Sequence, residues 1–564
     1  MKTIVIVDSS KEVPYRRIDK ILLNCIQHFG IWYEIIDLNW AGISYQELEE
    51  THLIILGQEG IISSLSDESF SVLLKIVENG AGLVILDGYL NKYPEKILKI
   101  IGVENFSSGK TNILSLEKHW ITEMSSDTVI FKNPAFHYYI PQIKNCWSVI
   151  MRNENGYGCC FSRSYGKGKI ILFTTLPSIF LDEYIGHTEG LDGVFFRSLI
   201  WASKKPFITK TMPPFLTARI DDVSGSGSPV CKHRETVEEL KYLDILNKYN
   251  FIPNLGLFID DIKESDEKKI REKYYDGLGE FSPHAFSDPK NTNEFPIYLK
   301  HSGEEFSKEE LEENFKRVDI KFSKIGINMS KTLNAHFGEI GLNTLPFLKE
   351  RGVKFFMNPI KIGKAWKNPD SKKWDLKPYG KPFFSLDYIP EDSYFFNVIS
   401  IPPKIDISTS TLDSEEPDFD FLYGCTTFWK ENKKVEIEKA IKRGTIQIKR
   451  GLENGFFGCL MTHEQRISHI PLDDFEKIIS GIYRNLSDIP FISKSYDFIS
   501  QYAESRTNYK IEKIEINNKI SIVLKGKNKV EQLLYLFTEK NSIPKISFLK
   551  IPTFEKQILL NFPI

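Results

Sequence analysis

Cysteine is scarce and unpatterned. The seven residues Cys25, Cys146, Cys159, Cys160, Cys231, Cys425 and Cys459 repeat no CxxC spacing and are odd in number, which argues against a disulfide framework or a cysteine-ligated structural zinc. Long hydrophobic runs are missing too: no window reaches the ~18 consecutive apolar residues of a membrane-spanning helix. The opening MKTIVIVDSS lacks the basic start and the apolar run of about 7–15 residues that a secretory signal needs, and reads as a buried strand. The expectation is a reducing, cytoplasmic setting. Nor is there an excess of one charge, since 73 basic and 75 acidic residues leave a net charge of −2. The Lys-rich stretches Lys268–Lys273 and Lys430–Lys434 are interleaved with or flanked by Glu. They read as solvated faces rather than a phosphate-tracking stripe, so no nucleic-acid partner is expected.

What is present is an ordinary globular composition, 41% hydrophobic and 26% charged, on a chain of 564 residues. That length exceeds the roughly 250–300 residues at which one core stops growing, so several domains are required. Over residues 1–205 the runs TIVIVD, WYEIIDL, HLIILG and GLVILDG read as strands, with a helix over Arg16–Phe29 between the first two. Continuous apolar runs belong to parallel strands covered on both faces, which predicts a doubly wound, flavodoxin-like α/β domain. Within Cys146–Leu176, SVIMR is followed by GYGCCFSRSYGKGKIILFTT. Its turn at Gly166-Lys167-Gly168 predicts an antiparallel hairpin on the edge of that sheet.

The pattern VENGAGLVILDG followed by YGKGKIILFTTLP resembles the class I glutamine-amidotransferase-like fold. In catalytic members that resemblance implies a nucleophilic cysteine on a glycine-flanked elbow after a strand. Here the comparable strand ends in Asp87-Gly88-Tyr89, so the resemblance implies a non-catalytic scaffold or ligand-recognition domain. Cys159 and Cys160 lie in the hairpin and read as packing residues.

Pro206, Pro213 and Pro214 mark a linker. Over 206–492 the runs FLTARIDDV, FIPNLGLFI, GLGEFSPHAF, TLNAHFGEI, VKFFMNP, FFNVISI, DFLYGCTTF and FFGCLMTHE read as strands. Helices are read between them at Glu235–Lys248, Ser307–Ile325, Asn343–Arg351 and Lys433–Glu453, the second opening on a Ser307/Glu310 capping box. The alternation predicts a (β/α) barrel, expected to be seven-stranded, with its chemistry at the strand C-termini. The tail, 493–564, turns to a two-residue alternation in KIEKIEINNKISIVLKG, broken at Asn517-Asn518, and reads as a small antiparallel β module. The whole is an α/β multidomain chain.

Each polar cluster of the central segment ends a predicted strand. Asp221-Asp222 follows an apolar strand start, and adjacent carboxylates in different surroundings can divide metal binding from proton transfer. His284 and Asp288 are four apart, a spacing that on a helical turn places imidazole and carboxylate on one face. Asn334-Ala335-His336-Phe337-Gly338-Glu339 is a third such end, and Thr462-His463-Glu464 closes the last strand.

In this order the clusters resemble the polysaccharide deacetylase (NodB-homology, carbohydrate esterase family four) superfamily. The resemblance implies that Asp221 is the catalytic base and Asp222 a metal ligand. It implies His284 as a second ligand and Asp288, standing where the family has another histidine, as a third. The family's Arg-x-Pro-x-Gly motif matches Asn334 through Gly338, with Asn334 in place of the arginine and His336 in place of the proline; LPFLKERGVKFF follows as the family continues. Arg219, two residues before Asp221, is a candidate replacement for that arginine. The Leu-x-His motif matches Met461-Thr462-His463 and implies His463 as general acid. A divalent metal, zinc first, and an N-acetyl or O-acetyl group on a saccharide follow as implied cofactor and substrate. His301 is a further candidate ligand, if the insertion Pro289–Lys300 folds back. Phe286, Phe337 and Tyr388 are candidate sugar-stacking rings. His119, His137, His187 and His469 have no partnering motif and read as ordinary residues.

Two other readings stay open. One is a glycosidase on a related barrel, with Asp221, Glu339 and Glu464 as acid and nucleophile or base. The other is a carbohydrate-binding or assembly protein without catalysis.

Overall fold

The computed structural model describes residues 1–563 apart from 126, 182, 188–189, 229–230, 289–292, 359, 366–385 and 399–436. The chain divides into two compact units, one of Met1–Thr211, Glu453–Gly455 and Ser505–Ile564, the other of Met212–Leu452 and Phe456–Glu504. The tail is therefore shared: 493–504 belong to the second unit and 505–564 to the first.

In the first unit the apolar runs become β1 (Lys2–Val7), β2 (Glu34–Asp37), β3 (Thr51–Leu56) and β4 (Gly82–Ile85). They are followed by β5 (Ser107–Leu116), β6 (Thr128–Tyr139), β7 (Ser148–Asn153), β8 (Gly158–Tyr165), β9 (Gly168–Phe173) and the short β10 (Phe207–Thr209). One nine-stranded sheet takes the order β2-β1-β3-β4-β9-β8-β7-β5-β6. β2, β1, β3, β4 and β9 run parallel, and β1, β3, β4 and β9 carry almost wholly buried runs, as strands covered on both faces must. The expected hairpin closes with Tyr165 opposite Gly168, but it lies inside the sheet rather than at its edge. Two long strands that sequence reading missed, β5 and β6, extend the sheet past it; β5 is largely exposed and polar, so no apolar run marks it.

The second unit contributes β11 (Phe215–Val223), β12 (Pro253–Phe258), β13 (Glu280–Asp288), β14 (Asn293–Phe295), β15 (Thr332–Leu333), β16 (Phe355–Phe356), β17 (Leu386–Tyr388), β18 (Phe396–Val398), β19 (Gly458–His463) and β20 (Ile492–Ser493). One sheet runs β14-β13-β12-β11-β19, with β20 beside the start of β11. A second runs β15-β16-β18-β17. Among the described residues the two sheets do not close into a barrel. β15 is only two residues long and has no ladder to β13; the links between them include Ser282 Oγ donating to the Thr332 carbonyl at 2.9 Å and, just before β15, the Ser330 amide donating to the Phe281 carbonyl at 2.8 Å. The strand read at DFLYGCTTF lies outside the described residues. The capping box is formed, with the Glu310 amide donating to Ser307 Oγ at 3.2 Å and the Ser307 amide to Glu310 Oε2 at 2.7 Å, ahead of the Lys308–Ile325 helix. The helix read at Glu235–Lys248 is broken, because Glu239 and Leu240 take φ of 53° and 52°.

The C-terminal strands β21 (Tyr509–Ile516), β22 (Lys519–Asn528), β23 (Gln532–Lys540), β24 (Ile543–Ile551) and β25 (Phe554–Pro563) belong to the first unit. β21, β22 and β25 form one antiparallel sheet, turning at Asn517-Asn518. β23 and β24 form another with β10, so residues read as linker form a strand whose partner lies near the chain's end.

Candidate metal centre

All of β11 is buried. Arg219 and Asp221, two apart, share a face of the strand, and the guanidinium donates to both carboxylate oxygens, Nε to Oδ1 at 2.8 Å and Nη2 to Oδ2 at 2.7 Å. Asn334 Nδ2 donates to Oδ1 at 2.6 Å. Burial lifts a buried carboxyl, yet the Arg219 charge and hydrogen bonds outweigh it and hold Asp221 at about 2. On a regular strand Asp222 would face the opposite side. The ladder to β12 slips by one residue between Ile220 and Val223, and Asp222 takes a left-handed φ of 55°. Such a bulge re-aims side chains, and a left-handed backbone at a residue other than glycine is held only where its surroundings enforce it. Both carboxylates thereby reach one site.

A second bulge places the histidine. β12 pairs Leu257 with Pro283 and Phe258 with Ala285, leaving His284 as the extra residue. His284 Nδ1 lies 2.8 Å from the Asn334 carbonyl, which can only accept, so Nδ1 carries the proton and Nε2 faces Asp222 Oδ1 at 3.0 Å. A hydrogen bond of this kind fixes the tautomer and leaves Nε2 as the ring atom that could meet a cation. Burial lowers His284, but the hydrogen bond to Asp222 overrides it and raises its pKa. Asp222, burial notwithstanding, is held well below the usual carboxylate range by its His284 hydrogen bond and the neighbouring histidines. Gly256 makes room: a Cβ there would sit 2.5 Å from His284 Nδ1 and 3.0 Å from Asn334 Nδ2.

His336 completes the group. It opens a short turn in which Phe337 takes φ of 52°, and Phe337 stacks on its ring at 3.9 Å. His336 Nε2 lies 3.8 Å from Asp222 Oδ1 and 3.2 Å from Glu294 Oε2. Its Nδ1 is buried with no hydrogen-bond partner among the described residues. Asp222, His284 and His336 each offer a ligand atom within 4.8 Å of the others, all three buried. Two imidazoles and a carboxylate are a donor set that zinc binds while keeping an open position, so the residues fit the implied cation.

The remaining candidates divide. His463 ends β19 directly opposite Asp221 in the ladder. His301 is folded back as the insertion allows, its ring 5.8 Å from that of His336, but its Nδ1 is engaged with Glu339 Oε2 at 2.6 Å. β13 runs extended through Asp288, so the four-residue spacing from His284 is not a helical face; the Asp288 side chain lies outside the described residues. Glu464 accepts from the Ser224 and Gly225 amides at 2.8 and 2.7 Å and from the Tyr242 hydroxyl at 2.8 Å, pinning the loop after β11. Burial lifts it to about 8 against these donors. Of the three rings, Phe286 is buried under the Arg317 guanidinium, Tyr388 donates to Glu504 Oε1 at 2.9 Å, and Phe337 is 44% exposed beside His336. Sequence reading missed Gly256 and Glu294; neither stands in a motif. In the first unit, Asp87 accepts from the Gly60 and Ile62 amides at 3.0 Å each.

No protein-family model matches the chain, and no curated protein matches it. Among solved structures, Agd3, described as a novel carbohydrate deacetylase, shares the fold over 100% of this chain and 99% of its own, at a TM-score of 0.54 and 10% identity. A structure from Parabacteroides distasonis, provisionally described as a glycoside hydrolase/deacetylase, covers 60% of this chain and 86% of its own at a TM-score of 0.35 and 12% identity. One from Mycobacterium smegmatis, provisionally described as a polysaccharide deacetylase, covers 53% and 92% at 0.32 and 10%. The first likeness is one of mixed α/β fold; the scores of the other two carry no argument.

Proposed function

We propose that the second unit is a divalent-metal-dependent deacetylase that hydrolyses an N-acetyl or O-acetyl group on a saccharide. The observation that carries the reading is the division between two adjacent carboxylates: Asp221 is tied to Arg219 and Asn334, while Asp222 faces His284 and His336. Asp222, His284 and His336 would hold the cation, zinc by its donor set. When bound, it would polarise the acetyl carbonyl and acidify the attacking water.

Asp221 then takes the proton of that water. Held at about 2, it is ionised at every working pH and is a weak base, so Arg219 and Asn334 serve it by orientation. His463, opposite Asp221, delivers a proton to the departing amine as the carbon–nitrogen bond breaks and acetate is released. Phe337, exposed beside His336, offers a face to a sugar ring. The two sheets of this unit are read as the walls of a deacetylase-type barrel. The first unit is read as an amidotransferase-like scaffold without a nucleophile, since Asp87 is committed to backbone amides.

A glycosidase is disfavoured by its own candidates, because Glu339 is engaged with His301 and Glu464 with a loop. The test is acetate release from a panel of N- and O-acetylated saccharides, before and after chelation and after return of zinc. Release that stops on chelation and returns with zinc supports the reading. Cleavage of an aryl glycoside that resists chelation contradicts it.

A further inference from the structure

The first unit contains a second convergence of donor side chains that no part of the deacetylase reading uses. We propose that Cys25, His187 and Asp192 form a separate metal site suited to zinc. Each offers one ligand atom, and the three atoms lie within 4.8 Å of one another. Cys25 sits on the Asn24–His28 helix, His187 precedes the Asp192–Ala202 helix, and Asp192 opens it. Cys25 and Asp192 are wholly buried.

The tautomer of His187 is fixed by its surroundings. Its Nε2 lies 2.9 Å from the Lys20 carbonyl, which can only accept, so Nε2 carries the proton. A π turn over Asp19–Leu23 directs the Asn24 amide to Asp19 rather than to Lys20, its α-helical partner. Phe180 stacks on the imidazole at 5.0 Å and 11° and holds its plane. Nδ1 is thereby turned to Asp192 Oδ1 at 2.8 Å. A neutral imidazole so oriented sets a lone pair against a buried carboxylate, which requires either a second proton or a shared cation. The same logic operates at His284, where Nδ1 bonds a carbonyl and Nε2 meets Asp222.

The thiol beside the pair favours the cation. A thiolate and a carboxylate together neutralise a divalent ion, and sulfur, imidazole nitrogen and carboxylate oxygen are all donors that zinc takes. The proposal departs from the expectation of no cysteine-ligated structural zinc and from the reading of His187 as an ordinary residue. Sequence spacing hides the site because Cys25 is far in the chain from His187 and Asp192.

Cobalt(II) is the probe, because only this site has a sulfur ligand. Full-length protein produced with cobalt is expected to carry two ions per chain and to show a thiolate-to-cobalt charge-transfer band. Asp222→Ala should keep the band with one ion. Cys25→Ser should lose the band and one ion, while acetate release stays within a few-fold. Should Cys25→Ser fail to fold, His187→Gln, which keeps the thiol, must abolish the same band. Wild-type protein without a thiolate–cobalt band, or a band that survives these substitutions, overturns the proposal and leaves an imidazolium–carboxylate pair.

Discussion

Arg219 and Asp221, two positions apart on one strand, meet through paired hydrogen bonds of 2.8 and 2.7 Å. In the proposed deacetylase, this bidentate fork would orient Asp221 from the same strand, with Asn334 as its second partner. Arg219→Ala should therefore mimic Asp221→Asn, slowing turnover by about 100-fold or more while the bound metal is kept. Because the two act as a unit, the double variant should lose little beyond either single one. Metal content and kcat of the three variants check this; additive losses would separate the roles.

His463 lies opposite Asp221 across the β11–β19 ladder. His463→Ala should retain metal and slow amide hydrolysis by about 100-fold or more. An activated aryl ester, whose leaving group departs unprotonated, should be affected far less. Equal losses on both substrates would remove His463 from the role of acid.

Glu464 makes stability depend on pH. Burial raises its folded-state pKa from the ordinary 4.5 to about 8, so the protonated carboxyl is the form the fold favours. Its contribution is fully present below pH 4.5 and is lost as pH rises toward 8. The loss is on the order of a few kcal/mol. Glu464→Gln, which stays neutral, should remove that part of the slope. Denaturant unfolding of both proteins at pH 5 and pH 8 measures it, and parallel losses would show that Glu464 does not titrate in this range.

Cys159 and Cys160 are buried in the β8 strand of the first unit, and burial pushes the Cys159 thiol up to about 12 and Cys160 well above its usual value. Neither forms a thiolate at neutral pH. Replacing either by Ala should leave acetate release within a few-fold; a loss of ~100-fold would place the active centre in the first unit.

The strand ends that carry Asp221, Asp222 and His463 are legible, because buried parallel strands leave continuous apolar runs whose polar termini stand out, whereas His284 lies in the middle of β13. The way those residues converge is not legible. Asp222 and His284 each sit at a one-residue slip in a ladder, and a slip depends on what the neighbouring strand presses against. The His284–Asp288 spacing was read on helical geometry, whereas the chain stays extended and hairpins with β14. His336, read only as an additional candidate, joins the group through a left-handed turn at Phe337 that no local preference announces. β10 escaped notice because its partner β23 lies more than three hundred residues later.

The central claim is that Asp222, His284 and His336 hold the ion that makes this unit a deacetylase. Anomalous diffraction at the zinc edge from crystals grown with zinc tests it most directly. The account predicts a peak bounded by His284 Nε2, an Asp222 oxygen and a His336 nitrogen, with contacts of about 2.0–2.2 Å. A zinc-soaked crystal with no peak there, or with the imidazoles of His284 and His336 turned away from the ion, contradicts it.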